Sequence, residues 1–108
     1  DADPKQIDAA HRCGAQAIEL HTGHYADAST VNDQASQLNK IVEGVRHGLS
    51  LGLVVNAGHG LHYHNTREIA VIDGINELNI GHSIMARAMF VGLKEAVREM
   101  RYILDQCV

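Results

Sequence analysis

Three short apolar segments of the chain each end in glycine, histidine or asparagine, and a helix-like stretch follows each of them. The segments are AQAIELHTG, LVVNAGHG and ELNIG. Val, Ile and Leu suit a strand that other residues cover, whereas clusters of Gly and His do not build a core. Each segment is therefore predicted to be a strand that delivers polar groups to a surface at its carboxyl end.

Helix boundary signals lie between these strands. Asp3 followed by Pro4 is typical of a helix start, and Gly14 is typical of a helix end. Asn65 and Glu68 have the spacing of a capping box, which predicts a short helix after the second strand.

Two longer helices are predicted from apolar residues that recur at steps of three or four. The first runs from Thr30 to Leu51, with the stripe Ala35, Leu38, Ile41, Val42, Val45 and Leu49. The second begins near Ser83 and continues to the end of the chain, with the stripe Ile84, Ala88, Val91, Ala96, Met100 and Ile103. Met85 and Met89 are also expected to pack in the core.

The residue composition fits a single α/β domain. The chain has 108 residues, of which 45% are hydrophobic, and it has no Trp, so Ala, Ile, Leu, Val and Met must form the core. Such a core is usual where helices pack on a parallel sheet. Together with the alternation of strands and helices, it predicts the α/β class.

Charge and cysteine content argue against several functions. The formal net charge is −4 at pH 7 and the basic residues are scattered, so nucleic acid is not expected as a partner. No apolar run reaches the roughly 18 residues of a membrane span, and the first residues lack the pattern of a secretion signal. Cys13 and Cys107 have no spacing typical of a disulfide framework or a zinc site. We therefore expect a cytoplasmic protein without a membrane partner.

Two architectures use alternating strands and helices, an open doubly wound sheet and a (βα)8 barrel. The polar residues at the predicted strand ends are Glu19, His21, Thr22, Asn56, His59, Gly60, Asn79, Gly81 and His82. In barrels the active site is assembled at that end from neighbouring strands. We therefore predict the C-terminal portion of a (βα)8 TIM barrel in residues 1–108, with about three strands and four helices. The abrupt opening DADP reads like the end of a further strand, so we expect the N-terminal strands of the barrel to be absent from this chain.

The GHS run at residues 81–83 is a candidate anion site. It lies where a strand passes into a helix, and the free N–H groups at a helix N-terminus attract anions, most simply phosphate. Gly81 leaves room for close approach, and His82 adds a donor or a positive charge. The alternative is structural, with Gly81 as a turn residue and Ser83 as an ordinary N-cap.

His59 and Glu19 are the candidate catalytic residues. A histidine at a strand end is a common acid or base because histidine titrates near neutral pH. The alternative is structural, in which Gly58 and Gly60 on either side of His59 serve only to allow a tight turn. Glu19 is expected to face the barrel interior, where a carboxylate must be paired or must serve a charged intermediate. A structural ion pair is the alternative for Glu19.

The other histidines invite a metal hypothesis, because neutral imidazole is a frequent zinc ligand. Neither HTGHY nor HGLHYHN matches a helix-borne ligand motif, so no metal site is predicted. His21, His24, His62 and His64 are instead expected to be loop residues or partners that support the site.

The motifs IELHTGHYADA, VNAGHGLHYHN and ELNIGHSIMARAMFVGLKEAV, in this order, closely resemble the C-terminal part of the pyridoxine 5′-phosphate synthase family. The resemblance covers essentially the whole chain. It implies a TIM barrel that condenses 3-amino-2-oxopropyl phosphate with 1-deoxy-D-xylulose 5-phosphate in vitamin B6 biosynthesis. The products are pyridoxine 5′-phosphate, phosphate and water, and neither a metal nor an organic cofactor is implied.

The resemblance also implies roles for individual residues. His59 would correspond to the proton donor, and Glu19 to the carboxylate that stabilises the transition state. Gly60, Gly81 and His82 would hold the phosphate of the amino ketone.

Several catalytic groups of that family belong to its early strands and are not found in these 108 residues. We therefore expect the chain alone to be inactive. We also expect the missing N-terminal half of the barrel, or self-association as a homo-oligomer, to cover its exposed sheet edges.

Two other functions stay open. One is a different phosphate-handling barrel enzyme, such as an aldolase or isomerase, but Lys40 and Lys94 lie in predicted helices and no Lys lies at a strand end to form a Schiff base. The other is a non-catalytic phosphate-binding or assembly module.

Overall fold

Helices and strands alternate along the chain, and the strands form one parallel sheet. The computed structural model describes residues 1–107. In chain order the elements are α1 (Pro4–Arg12), β1 (Ala17–His21), α2 (Gly23–Asp27), α3 (Val31–Ser50), β2 (Val54–Gly58), α4 (Thr66–Ala70), β3 (Ile75–Asn79), α5 (His82–Val91) and α6 (Leu93–Asp105). The predicted α/β class is confirmed, and the strand–helix repeat is that of a partial (βα) barrel.

The three strands lie in the order β1-β2-β3, and both neighbouring pairs are parallel. His21 is in register with Gly58, and Gly58 is in register with Asn79. All three carboxyl ends therefore meet at the same edge of the sheet. Between two parallel strands the chain has to run back to the opposite edge of the sheet, and helices form these crossover connections.

One face of the sheet is packed under helices and forms the core. Val55 and Ala57 of β2 are fully buried there. The buried core residues are Ile7, Leu20, Tyr25, Ile41, Val45, Leu53, Val55, Ala57, Leu61 and Ile69. Side chains alternate along a strand, so Glu19 and Val54 point to the other face, where both are exposed. The predicted alternation in β1 is confirmed.

The start of α1 is as predicted. The Oδ1 atom of Asp3 accepts a hydrogen bond from the N–H of Lys5 at 2.9 Å, and Pro4 is the first helical residue. Proline suits this position because its missing N–H would have had no partner inside the helix.

The predicted capping box at Asn65 is wrong. Asn65 is the N-cap of α4, but its side chain makes no capping bond to that helix. Its Oδ1 atom instead accepts from the N–H of His62 at 2.7 Å, and its Nδ2 atom donates to the carbonyl of Gly60 at 3.2 Å. The side chain thus braces the loop before the helix rather than the helix itself.

The buried side of α3 differs from the predicted stripe. Ala35 and Leu49 are exposed, whereas Gly44 and Gly48 are buried. A Cβ atom on Gly48 would lie only 2.8 Å from Cγ2 of Val55, so the glycine allows the helix to approach β2 closely. A pattern of apolar side chains cannot reveal this contact, because glycine has none.

The last predicted helix is two helices. Gly92 has a φ of 87°, a left-handed conformation that ends α5 and precedes α6. Met100 is buried on α6 as expected, but Met85, Met89 and Phe90 are exposed, the last two by 87% and 86%. The expectation that Met85 and Met89 pack in the core is therefore wrong for this chain.

A short helix that was not predicted, α2, follows β1 and contacts the loop after β2. Its Tyr25 is 1% exposed, and the Tyr25 hydroxyl donates to the carbonyl of Asn65 at 2.7 Å. Burial and the nearby Glu68 carboxylate raise the pKa of Tyr25 to about 12. Deprotonating this phenol would place a second negative charge beside Glu68.

Within residues 1–107, no helix combines the length and the apolar character that crossing a bilayer requires.

We expect Gly48→Ala to destabilise the fold, although alanine is the better helix former. The new methyl group would meet the side chains of Val55, which is fully buried, and of Ile18. Overpacking of this kind costs about 1–3 kcal/mol, more than the gain of about 1 kcal/mol in helix propensity. Urea denaturation measures the change. The matched control is Ser36→Ala on the exposed side of the same helix, which should stay within about 0.5 kcal/mol of the wild type. Equal stability of Gly48→Ala and wild type would contradict the close approach.

Alkaline pH should destabilise the fold through Tyr25. The unfolded chain releases this proton near the ordinary pKa of 10.0 and the folded chain only near about 12. The folded state therefore binds more protons between these values, and its stability falls as the pH rises through them. Urea denaturation at about pH 9 and about pH 11.5 should show a smaller loss for Tyr25→Phe than for the wild type. Tyr102→Phe, which changes an exposed ring, should keep the wild-type loss.

Candidate active site

The carboxyl ends of β2 and β3, together with Glu19 of β1, border one cleft of about 540 Å³. The residues that line this strand-end cleft are Glu19, His59, Gly60, Leu61, His62, Asn79, Ile80, Gly81, His82 and Ser83. All five residues that the sequence singled out for catalysis or binding are among them, namely Glu19, His59, Gly60, Gly81 and His82. The structure thus brings the predicted set together, although its members come from the middle of β1 and from the segments that follow β2 and β3.

His59 has a backbone conformation that is rare for a residue with a side chain. Its φ is 91°, and such conformations cost about 1–3 kcal/mol when the residue is not glycine. The fully buried Thr22 holds it there, because the Thr22 hydroxyl donates to the His59 carbonyl at 2.5 Å. The N–H of Thr22 donates to the carbonyl of Gly58 at 2.8 Å, which fixes the residue before His59 as well.

The ring of His59 lies against a second imidazole. The rings of His21 and His59 are stacked, with centroids 4.3 Å apart and planes 25° apart. His21 is itself anchored, since the N–H of Gly23 donates to its Nδ1 atom at 3.2 Å. The sequence placed an imidazole at this strand end but gave no sign that it would meet His59.

The turn after His59 is tight and well braced. Gly60 has a φ of 76°, and a Cβ atom there would lie 2.7 Å from the Cβ of Ala26. The turn interpretation of this glycine therefore holds, and it is compatible with a place in the cleft wall. The Asn65 side chain accepts from the N–H of His62 and donates to the carbonyl of Gly60. The turn is therefore held by Asn65 at Gly60 and by Thr22 at His59.

Glu19 reaches across the middle strand to Asn79. The Nδ2 atom of Asn79 donates to Oε2 of Glu19 at 3.0 Å. Gly58 lies between them in the sheet, and a Cβ atom on it would be 2.8 Å from Oε1 of Glu19. The ion pairs formed by residues 1–107 do not include Glu19, so its partner here is a neutral amide rather than a cation.

The beginning of α5 closes one side of the cleft. Gly81 is the N-cap, and it has no side chain that could cap the helix. The structural alternative, with Ser83 as the N-cap, is wrong. Ser83 lies inside the helix, and its hydroxyl donates to the carbonyl of Leu61 at 2.7 Å. The first N–H groups of an α-helix have no partner within the helix, so this end offers donors beside the imidazole of His82.

The packing of residues 1–107 does not demand glycine at position 81. A Cβ atom there would have none of their heavy atoms within 4 Å. The missing side chain leaves open space at the mouth of the helix, which is the condition for an anion to approach the backbone closely.

His62 also lines the cleft, but its ring is bonded within its own loop. His62 accepts the N–H of His64 at its Nδ1 atom, at 3.1 Å, and this bond belongs to the loop after β2. In the part of the chain that the structure describes, no group of three His, Cys, Asp or Glu side chains is arranged to hold a metal ion.

A comparison with models of known protein families matches residues 1–106 to one family, described as pyridoxal phosphate biosynthesis protein PdxJ. The match spans the three strands, the helices between them and every residue that lines the strand-end cleft. The chain therefore belongs to the PdxJ family of pyridoxal phosphate biosynthesis proteins.

Proposed function

We propose that this chain supplies the His59 and Glu19 site of a cytoplasmic pyridoxine 5′-phosphate synthase. That enzyme condenses 3-amino-2-oxopropyl phosphate with 1-deoxy-D-xylulose 5-phosphate to form pyridoxine 5′-phosphate, phosphate and water. The observation that carries the proposal is the strand-end cleft, where an imidazole, a carboxylate and an open helix N-terminus face one space.

His59 acts as the proton donor. The reaction expels water and phosphate, and oxygen leaves more readily when a proton is delivered to it. Neither imidazole nitrogen of His59 takes part in a hydrogen bond within residues 1–107, so both are available to a substrate in the cleft. The left-handed backbone, held by Thr22, sets the direction from which the ring enters the cleft.

Glu19 stabilises positive charge that develops on imine-like intermediates. A fixed carboxylate is most effective when its own charge is not cancelled by a neighbouring cation. Its partner Asn79 orients the carboxylate with one hydrogen bond and leaves the negative charge in place.

The phosphate of the amino ketone binds at Gly60, Gly81 and His82. The free N–H groups at the start of α5 suit an anion, and the imidazole of His82 lies in the same wall. Binding a phosphate away from the reacting carbons supplies energy for orienting the substrate. No metal or organic cofactor takes part in this reaction.

The second substrate and the catalytic bases lie on strands that we propose to belong to the N-terminal half of the barrel. The chain is then one part of a TIM-barrel domain, and its partners are that N-terminal half, further copies of the enzyme and the two phosphorylated substrates. We use the term complete enzyme for the synthase that contains both parts.

A second candidate function is a phosphate-binding or assembly module without catalysis. The apolar surface of α5, with Met89 and Phe90 almost fully exposed, favours a role in assembly. Such a module would bind phosphate in the strand-end cleft but would not restore turnover to any partner.

We expect the isolated chain to have no synthase activity, and a mixture with the N-terminal half of the barrel to form pyridoxine 5′-phosphate. The site in this chain lacks the bases and the second substrate site, which the N-terminal half would provide. Product formation from both substrates, followed by chromatography, measures this. Turnover by the pure 108-residue chain would overturn the division of the site. Phosphate binding without turnover, in the mixture and in the complete enzyme, would favour the module.

Removing the charge of Glu19 should slow the reaction far more than it weakens binding. In the complete enzyme, Glu19→Gln should lower kcat by about 100-fold, because the loss concerns charge that develops in the transition state. Asn79→Ala should lower kcat by about tenfold, since the carboxylate keeps its charge but loses its orientation.

The control is Asn76→Ala. Asn76 lies on the same strand and its Nδ2 atom also donates to a side chain, Oδ1 of Asn56, at 3.2 Å, but it does not line the cleft. Its kinetics should match the wild type. Equal effects of the two asparagine variants would show that the Glu19 contact has no special importance.

A further inference from the structure

We propose that His21 is a positioning residue for His59, whose ring it orients by stacking. The proposal rests on the proposed function in one respect, the acid role of His59, and it assigns His21 a task that the proposed function does not contain. His21 does not line the strand-end cleft and is not expected to touch the substrate there.

A proton donor has to be oriented without losing the nitrogen that carries the proton. A hydrogen bond to the ring would occupy one of its two nitrogens. In residues 1–107 the imidazole of His59 forms no hydrogen bond, and its backbone is fixed through its carbonyl by Thr22. The protein can therefore orient the ring of His59 through a contact with its face. The ring of His21 provides this contact, with the two centroids 4.3 Å apart.

His21 is suited to this task because it is itself held in place. It is the last residue of β1, and its Nδ1 atom accepts the N–H of Gly23. In the neutral ring the hydrogen is then on Nε2. The strand and this bond together fix the position and the plane of the ring against which His59 packs.

Gly23 provides the space in which the two rings stack. A Cβ atom on Gly23 would collide with Cε1 of His21 and would lie 3.0 Å from Cδ2 of His59. The absence of a side chain at this one position thus serves both imidazoles. The run HTG at residues 21–23 supplies the stacking ring, the hydroxyl that holds the His59 carbonyl, and the space for both.

The stacked arrangement does not favour the binding of one metal ion by both rings of this pair. Stacked rings turn their faces to each other, and the planes differ by only 25°. His24 approaches His21 edge-on, with centroids 6.4 Å apart, and completes no ligand set within the described residues.

Two substitutions separate the stack from the hydrogen bond of His21. His21→Phe keeps an aromatic face but has no acceptor for the N–H of Gly23, whereas His21→Asn keeps an acceptor but has no aromatic face. In the complete enzyme we expect His21→Asn to lower kcat by about tenfold to 100-fold, with the KM for the amino ketone phosphate nearly unchanged. His21→Phe should retain most of the wild-type kcat. His11→Asn is the control, an exposed imidazole on α1 that forms no ring pair with His21 or His59 in the described residues, and should behave like the wild type.

The NMR signals of the His59 ring carbons and protons give a second readout in the same proteins, one that needs no activity. The aromatic face of residue 21 shields these nuclei, so their signals should stay near the wild-type positions in His21→Phe. In His21→Asn they should move towards those of a free imidazole. Circular dichroism and urea denaturation establish that the variants are folded.

Wild-type kcat in His21→Asn, or an unchanged His59 signal in that variant, would overturn the proposal. Equal losses of kcat in His21→Phe and His21→Asn would also overturn it, because an aromatic face alone would then not suffice. A loss in His21→Phe with wild-type kcat in His21→Asn would assign the role to the hydrogen bond instead of the stack. If the wild type lacked synthase activity, the proposed function would fail, while the ring signals would still decide whether His21 positions His59.

Discussion

The register of β2 between two parallel neighbours is the constraint on which both the fold and the candidate site depend. It places Gly58 between His21 and Asn79 at the edge where all three strands end. Because Gly58 has no side chain, the carboxylate of Glu19 can reach the amide of Asn79 across the middle strand. A slip of one residue would reverse the two faces of β2 and would bury Asn56 in place of Val55 and Ala57. The packing of the core on one face of the sheet therefore maintains the geometry of the polar groups on the other.

Hydrogen bonds to backbone groups hold the turn that carries His59, and this leaves the two ring nitrogens of His59 free within the described residues. His59 is held through its carbonyl by Thr22, and the loop that follows is held through backbone groups by Asn65. The hydrogen-bonding atoms of the His59 ring are consequently not used for structure. The unfavourable φ of His59 can persist because several independent contacts fix the same turn. This arrangement suits a site whose functional atoms must meet a ligand rather than one another.

The parts that could be predicted from the sequence are those that depend on side-chain pattern. Alternation in β1 located Glu19 on the face away from the core, and the common edge of parallel strands placed Glu19, His59 and His82 together. The features that the sequence did not predict depend on glycine or on tertiary contacts. Gly92 interrupts what reads as one helix, and Gly48 lies on the buried side of α3 without contributing to any apolar stripe. The stacking of His21 on His59 and the contact between Glu19 and Asn79 require the register of the sheet, which no local pattern encodes.

The contact between Glu19 and Asn79 joins residues that are 60 positions apart in the chain. In the folded chain it spans β2, which pairs with both β1 and β3, so we expect it to form late in the assembly of this sheet. Contacts between such distant residues form slowly, because loop closure costs entropy before any interaction compensates for it. A partly assembled sheet would keep much of its helical content while its polar edge stayed incomplete. The candidate site is therefore complete only in the fully paired sheet, because Asn79 of β3 both binds Glu19 and lines the cleft.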